Sequence, residues 1–417
     1  MPEWLQEFAP IGVLLAVVTV VMARLPPVEG VDHSAAFKRR RLFNWLPLGL
    51  TYAFLYMGRY NLKVSQHGFG DVIGADGLPL MTNADFSAIF AAGTITYGAS
   101  FLLNGPLTDR FGGKFSILVG SAGSAVMNLL MGLATWSVLN QGPGATIIED
   151  DLTLVFSLLY AVNMYFQSFG AVAIVKCNAP WFHVRERGVF GAIFGILISL
   201  GIYFAFDVGY MIKDALPLEW VFLTPFVLLV IFWIIDLFVV KNTPGEAGLL
   251  DFDTADASSG DDGPRKGPIE VFIMMARNPV IMTIACIEFC SGFLRQAIMQ
   301  WFRSFAKQTN EALGLMDSFV YDNWGMMLCC AGIMGGVVAG IISDRVFQSR
   351  RGPVAALLYG GMLVAAIVMV FTYQTGFVPW LVVLMSMAII GVHGMLSGTA
   401  SMDFGGKRNV GIAVGII

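Results

Sequence analysis

The chain has 417 residues, of which 56% are hydrophobic and 13% charged, with 47 glycines and a formal net charge of −4. Its mean hydropathy is +0.71. An ordinary soluble domain carries about 25% charged residues, so this composition excludes one and points to a bundle of membrane-crossing helices with glycine at close contacts.

A membrane-spanning helix needs about 20 mainly apolar residues. Candidate spans in chain order are about 5–24, 43–66, 86–107, 114–136, 152–178, 188–212, 219–240, 280–306, 322–343, 354–373 and 379–400. The first follows an acidic start, MPEWLQEF, and precedes its positive residues, which is the wrong order for a signal peptide. It reads as an additional helix entering from outside, within residues 1–30. Six spans follow in 31–242. Residues 243–278 contain DFDTADASSGDDGPRKGP and read as a flexible linker. Residues 279–417 then hold four spans and an apolar run from Val410 to Ile417, too short to cross a bilayer, so the second half is expected to be incomplete.

Lysine and arginine set the orientation. Of the 25, one side of this topology collects most, among them Arg24, Lys38, Arg39, Arg40, Arg41, Arg110, Lys114, Arg265, Lys266, Arg277, Arg350, Arg351, Lys407 and Arg408. The other side has Lys63, Lys213, Arg303 and Lys307, while Arg59, Lys176 and Arg295 fall inside spans. The positive-inside rule makes the basic side and the linker cytoplasmic, in a cell (inner) membrane.

Two landmarks repeat at almost one spacing. Arg59 and Arg295 are 236 positions apart, and Arg110 of GPLTDRFGGK and Arg345 of GIISDRVFQSRRG are 235 apart. This implies a duplicated bundle with one intramembrane arginine per copy. A charge at mid-bilayer costs about 2.5–3.5 kcal/mol on insertion scales, so a symmetric pair suggests one anion held between the halves. Arginine suits that role, because its planar fork of donors matches phosphate or carboxylate oxygens and never loses its charge. Tyr52, Tyr56 and Arg59 share one helix face at i, i+4 and i+7. The structural alternative for Arg59 is snorkelling to headgroups.

Glu288 lies two turns before Arg295 and would neutralise it in the empty site, or form a structural ion pair with it. Asp207 and Asp236 are further possible structural partners. Asp109-Arg110 and Asp344-Arg345, each four residues after a glycine, read as latches between helices. Lys176 suits either substrate or headgroups, and His393 reads as a packed histidine. The cysteines Cys177, Cys286, Cys290, Cys329 and Cys330 lie in apolar segments, and no metal-ligand spacing, P-loop or Ser-His-Asp set occurs. No cofactor, nucleic-acid partner or enzymatic activity is expected.

The two D-R signatures, the duplication and the linker resemble the major facilitator superfamily. Narrower pieces resemble its organophosphate:phosphate antiporter family: YAFLYMGRYN with Arg59, ITYGASFLLNGPLTDRFGGK with Tyr97, WFHVRERGVFG with Arg187, KNTPGEAGL, FLRQAIMQWF with Arg295, AGIMGGVVAGIISDRVFQSRRG and MDFGGKRNVGIAVG. The resemblance runs from about residue 43 onward. It implies that Arg59 and Arg295 bind a phosphoryl group between the halves, that Tyr52, Tyr56 and Tyr97 line the site, and that Lys176 stands where the family often has an arginine. Phe101 and Ile198 depart from the lysine and histidine of glycerol-3-phosphate transporters, which argues against that substrate. The expected function is a monomeric secondary transporter of a phosphorylated organic metabolite, exchanging it for inorganic phosphate by alternating access. The alternatives are a membrane sensor of a sugar phosphate and a facilitator for another organic anion.

Overall fold

A computed structural model describes residue 12 and residues 33–74, 77–183, 186–255, 267–342, 346–347, 351–394, 396 and 401–417. The expected first helix, Asp344 and Arg345 lie outside the described residues. The side chain of Arg187 does so too.

The described residues are mainly helical, as the hydropathy predicts, and form no β-strand beyond an isolated bridge between Ile73 and Pro79. The long helices are α1 (Ala35–Gly70), α2 (Asn83–Phe111), α3 (Gly113–Leu139), α4 (Leu152–Asn178), α5 (Arg187–Tyr203), α6 (Gly209–Ala215) and α7 (Trp220–Val239). They continue as α8 (Pro268–Ala276), α9 (Pro279–Gln308), α10 (Trp324–Ile341), α11 (Arg351–Thr372), α12 (Val378–His393) and α13 (Ser401–Ile416). Among the described residues, seven helical stretches are long and apolar enough to cross a membrane, and Trp324–Ala339 and Val378–His393 are shorter apolar helices. α1 spans 36 residues, about 54 Å at 1.5 Å per residue, so it outreaches a hydrocarbon core of about 30 Å.

Local chemistry sets the helix ends. The Ser34 hydroxyl accepts from the Phe37 amide at 3.1 Å to start α1. Thr82 and Asp85 form a reciprocal capping box at the start of α2. Asn278 accepts from the Val280 and Ile281 amides ahead of Pro279, opening α9. Gly112 divides α2 from α3 with φ +91, a backbone conformation that favours glycine.

α1 is the hub of the first half: every residue from Thr51 to His67 is buried. In an apolar bundle its neighbours are held by polar staples. Asn61 donates to Asn128 at 2.8 Å, Asn163 donates to the Gly58 carbonyl at 3.0 Å, and Gln167 donates to the Leu55 carbonyl at 2.8 Å. Asp236 of α7 accepts from the Thr51 hydroxyl at 2.6 Å, so it is bonded to α1 and not, as the sequence allowed, a partner of Arg295. The outward faces are apolar, with Ile95, Leu102 and Leu103 exposed on α2 and Leu363, Val364, Val370 and Phe371 exposed on α11. Patches of that extent belong against lipid.

The predicted span 188–212 is not one regular helix. Phe204–Val208 forms a π turn between α5 and α6. The turn presents Asp207 to the start of α10, where its carboxylate accepts from the Gly325 and Met326 amides, each at 2.6 Å. Those amides are unpaired within their own helix, so the carboxylate satisfies them and the helix dipole together.

Candidate anion-binding site

The packing of α1 against α9 positions the site. Gln296 donates to the Tyr60 hydroxyl at 3.1 Å, and Lys307 donates to Asp71 at 3.3 Å; both pairs are 236 positions apart. Equivalent positions of two repeats touch each other only along the axis that relates them. The axis therefore runs between α1 and α9. Arg59 and Arg295 share the same separation and immediately precede Tyr60 and Gln296, and both guanidinium groups lie within electrostatic range of Tyr56 and Tyr60.

Arg59 is 4% exposed. Its guanidinium lies over the Tyr97 ring at 4.2 Å and the Tyr56 ring at 4.8 Å, and donates to Gln167 Oε1 at 3.4 Å. A desolvated contact of this kind is worth about 2 kcal/mol, which offsets part of the burial cost. The Tyr160 hydroxyl donates to the Arg59 carbonyl at 3.1 Å and fixes the backbone at that point. Nε of Arg59, and Nε and Nη1 of Arg295, are buried without hydrogen-bond partners. Tyr56 stands between the two sides: its ring packs edge-on against Tyr52 at 5.2 Å, and both Arg59 and Arg295 act on it electrostatically. Among the described residues no carboxylate forms an ion pair with either arginine. The arrangement is two guanidinium forks with unused donors, set among phenol hydroxyls, which can hold a tetrahedral oxyanion.

Glu288 does not pair with Arg295 as expected. Its Oε2 lies 2.6 Å from His393 Nδ1 of α12, while its charge still acts on Arg295 through space. A partner four residues away on the same helix would be reachable; seven residues leave a gap of about 10 Å along the axis, which the histidine of another helix fills instead.

Lys176 is placed elsewhere than the arginines. It lies nine residues past Gln167 on α4, about 13 Å further along the helix. Its ammonium donates to Asp109 at 2.6 Å and to the Lys407 and Arg408 carbonyls at 2.6 and 3.2 Å. Asp109 also accepts from the Gly411 and Ile412 amides, each at 3.1 Å. Non-helical torsions at Gly406 and Asn409 start a new helical turn there, which leaves those amides free for the carboxylate. A Cβ on Gly105 would come within 2.6 Å of the Gly411 carbonyl oxygen, so α2 and α13 cross at backbone contact. Asp109 thus ties α2, α4 and α13 at the end rich in lysine and arginine. Arg110 takes no part: it is exposed and stacks on Phe111 at 5.2 Å.

Tyr60, Gln167 and Gln296 border the candidate site, and none of them stands out in the sequence by itself. Applying the 236-residue offset to the neighbours of Arg59 would have found the Tyr60–Gln296 pair. Gln167 left no such signal, being one of several polar residues on a buried helix face, with Asn163 one turn before it.

Comparison with known proteins decides the family. The sequence profile of the Major Facilitator Superfamily matches residues 48–417. The chain belongs to the Major Facilitator Superfamily. It is 25% identical to the glycerol-3-phosphate transporter of Bacillus subtilis (strain 168) over 94% of this chain and 85% of that one. It is 23% identical to the membrane sensor protein UhpC of Salmonella typhimurium, covering 93% and 83% of the two chains. It is 21% identical to a probable hexose phosphate transport protein of Chlamydia pneumoniae, over 93% and 83%. These relatives are those of the organophosphate:phosphate antiporter family. A crystal structure of the superfamily transporter FucP in the outward conformation shares the fold, with a TM-score of 0.59, 13% identity and coverage of 91% and 89%. This superfamily member is therefore a multi-pass membrane transporter and not an enzyme.

Proposed function

We propose that this transporter moves a phosphorylated organic metabolite across the cytoplasmic membrane in exchange for inorganic phosphate, as a monomer with its basic end in the cytoplasm. Residues 31–242 and 279–417 act as the two rocking halves, and 243–278 is their cytoplasmic linker. The observation that carries the reading is the pair of guanidinium groups that share Tyr56 and Tyr60 as neighbours, with buried donors unused and, among the described residues, no carboxylate ion-paired to them. The names of the relatives supply the substrate class.

In this mechanism the phosphoryl group bridges Arg59 and Arg295, and its negative charge cancels the repulsion that keeps the halves apart. Tyr52, Tyr56 and Tyr97 donate to its remaining oxygens. Closure at the basic end uses Asp109, Lys176 and α13, and closure at the opposite end uses the Tyr60–Gln296 and Asp71–Lys307 contacts. Transport requires breaking one set at a time around a central site. Glu288 bonded to His393 buffers Arg295 in the empty site, and Asp344 and Arg345 would serve as the second latch. Phe101 packs on Tyr97 at 4.8 Å, and Ile198 is buried at 1% exposure, so neither supplies polar recognition for a small polyol. This favours a phosphate ester other than glycerol 3-phosphate.

The test is uptake of radiolabelled phosphate into proteoliposomes preloaded with a panel of phosphate esters, carboxylates and sulfonates. We expect exchange with phosphate esters. Arg59→Lys and Arg295→Lys keep the charge and lose the fork, and each is expected to lower exchange by more than about tenfold. Exchange driven by carboxylates alone, or unaltered in both variants, would overturn the assignment.

A further inference from the structure

The end of the bundle opposite the basic loops should be poor in cations, and Lys63, Lys213, Arg303 and Lys307 are what the sequence places there. They are not scattered. All four lie within electrostatic range of one side chain, His67. Lys213 and Lys307 share Asp71, at 3.9 and 3.3 Å, and Lys213 also meets Asp214 at 2.9 Å. Lys63 and Arg303 have no carboxylate ion pair among the described residues. At the basic end the buried cations are matched: Arg41 pairs with Glu186 at 3.0 Å and Lys176 with Asp109 at 2.6 Å. Lys63 and Arg303 at the opposite end are not matched in this way.

The surroundings of Arg303 and Lys63 are built. The Arg303 guanidinium is clamped between the rings of Tyr210 at 3.8 Å and Tyr321 at 4.3 Å, and its buried Nε has no hydrogen-bond partner. A guanidinium held by its faces keeps its edge for an oxyanion. The Tyr210 hydroxyl bonds His67 Nδ1 at 2.8 Å, and His67 Nε2 lies 3.5 Å from the Ser304 hydroxyl. Lys63, 2% exposed, donates to that same hydroxyl at 2.8 Å and to Gln66 at 2.9 Å. Lys63 is one turn past Arg59, about 6 Å, and Arg303 is eight residues past Arg295, about 12 Å along the helix.

We propose that the Lys63–His67–Arg303–Ser304 cluster is a second anion subsite, taking inorganic phosphate or the phosphoryl group of an ester before it passes inward to Arg59 and Arg295. A fork and a hydroxyl from α9 with an ammonium from α1 fit a tetrahedral anion with several oxygens better than a planar carboxylate. The order of passage rests on the proposed function; occupancy of the subsite does not.

The test is equilibrium binding of radiolabelled inorganic phosphate to the purified full chain in nanodiscs at low salt, with thermal melting as a check on folding. The wild type is expected to bind two phosphates per chain. Combining Lys63→Gln with Arg303→Gln should leave one, and combining Arg59→Lys with Arg295→Lys should leave the other. Arg303→Lys, which keeps the charge but loses the clamped fork, should weaken the outer site by about tenfold with melting unchanged. One phosphate that survives the Arg59/Arg295 changes but not the Lys63/Arg303 changes would uphold the subsite and remove the central reading. A single phosphate lost with the central pair, two phosphates indifferent to Lys63 and Arg303, or no saturable binding would overturn the subsite. Competition by glycerol 3-phosphate or a hexose phosphate at the outer site distinguishes an ester ligand from free phosphate.

Discussion

At the scale of single residues, the described chain separates cations that carry a carboxylate partner from cations that do not. Lys176 belongs to the first kind. Lys176→Met would leave Asp109 with only two backbone amides in a setting where the carboxylate is 11% exposed. Breaking a buried pair from one side costs on the order of 3 kcal/mol, and here that cost falls on closure of the basic end. Spin labels replacing Phe111 on α2 and Ile416 on α13 should report a wider separation in Lys176→Met, and an unchanged distance distribution would show that the pair is not a latch. The arginines belong to the second kind and could be read in the sequence, because an intramembrane charge repeated at a fixed offset is rare whatever the fold. The partners of Lys176 and Glu288 were not legible, since each is bonded to a residue far away in sequence, and only packing brings Asp109 and His393 within reach.

At the scale of elements, helix existence followed from hydropathy. The breaks did not. The π turn at Phe204–Val208 occurs inside an apolar stretch with no proline to announce it, and the restart of α13 after Asn409 follows the short polar run Gly405-Gly406-Lys407-Arg408, where hydropathy gives no span at all. Each break leaves its surroundings arranged so that a carboxylate meets unpaired amides, Asp207 on α10 and Asp109 on α13, and such pairings follow from tertiary placement and not from local propensity. The contact of α2 with α13 gives a sharp prediction. Gly105→Val places two methyl groups against the Gly411 backbone, where even a Cβ at 2.6 Å does not fit. The basic end then cannot close. We expect phosphate exchange to be lost while phosphate binding persists, and the two assays on one reconstituted preparation would show it. Retained exchange would mean that α2 and α13 need not approach this closely during transport.

At the scale of the whole molecule, the duplication seen as a repeated spacing in sequence corresponds to an axis marked by touching pairs. Cysteines replacing Tyr60 and Gln296, joined by a short bifunctional thiol reagent, should hold the end remote from the basic loops shut. Exchange is expected to stop on cross-linking and to return on cleavage of the linker. Undiminished exchange in fully cross-linked protein would exclude movement of α1 against α9. The internal offset made the repeat visible without coordinates. It did not reveal which equivalent residues meet, because that depends on how the copies face each other.

An axis of this kind forces a choice on any residue that sits beside it, since each must live with its own counterpart. Asp71 opposite Lys307 and Tyr60 opposite Gln296 solve this by being different, a negative group facing a positive one and an acceptor facing a donor. Arg59 and Arg295 are alike. A matched pair of cations is the self-defeating choice for a resting protein and a sensible one only for a protein that expects a guest, so the place where the two copies agree is the place where the molecule is unfinished on its own.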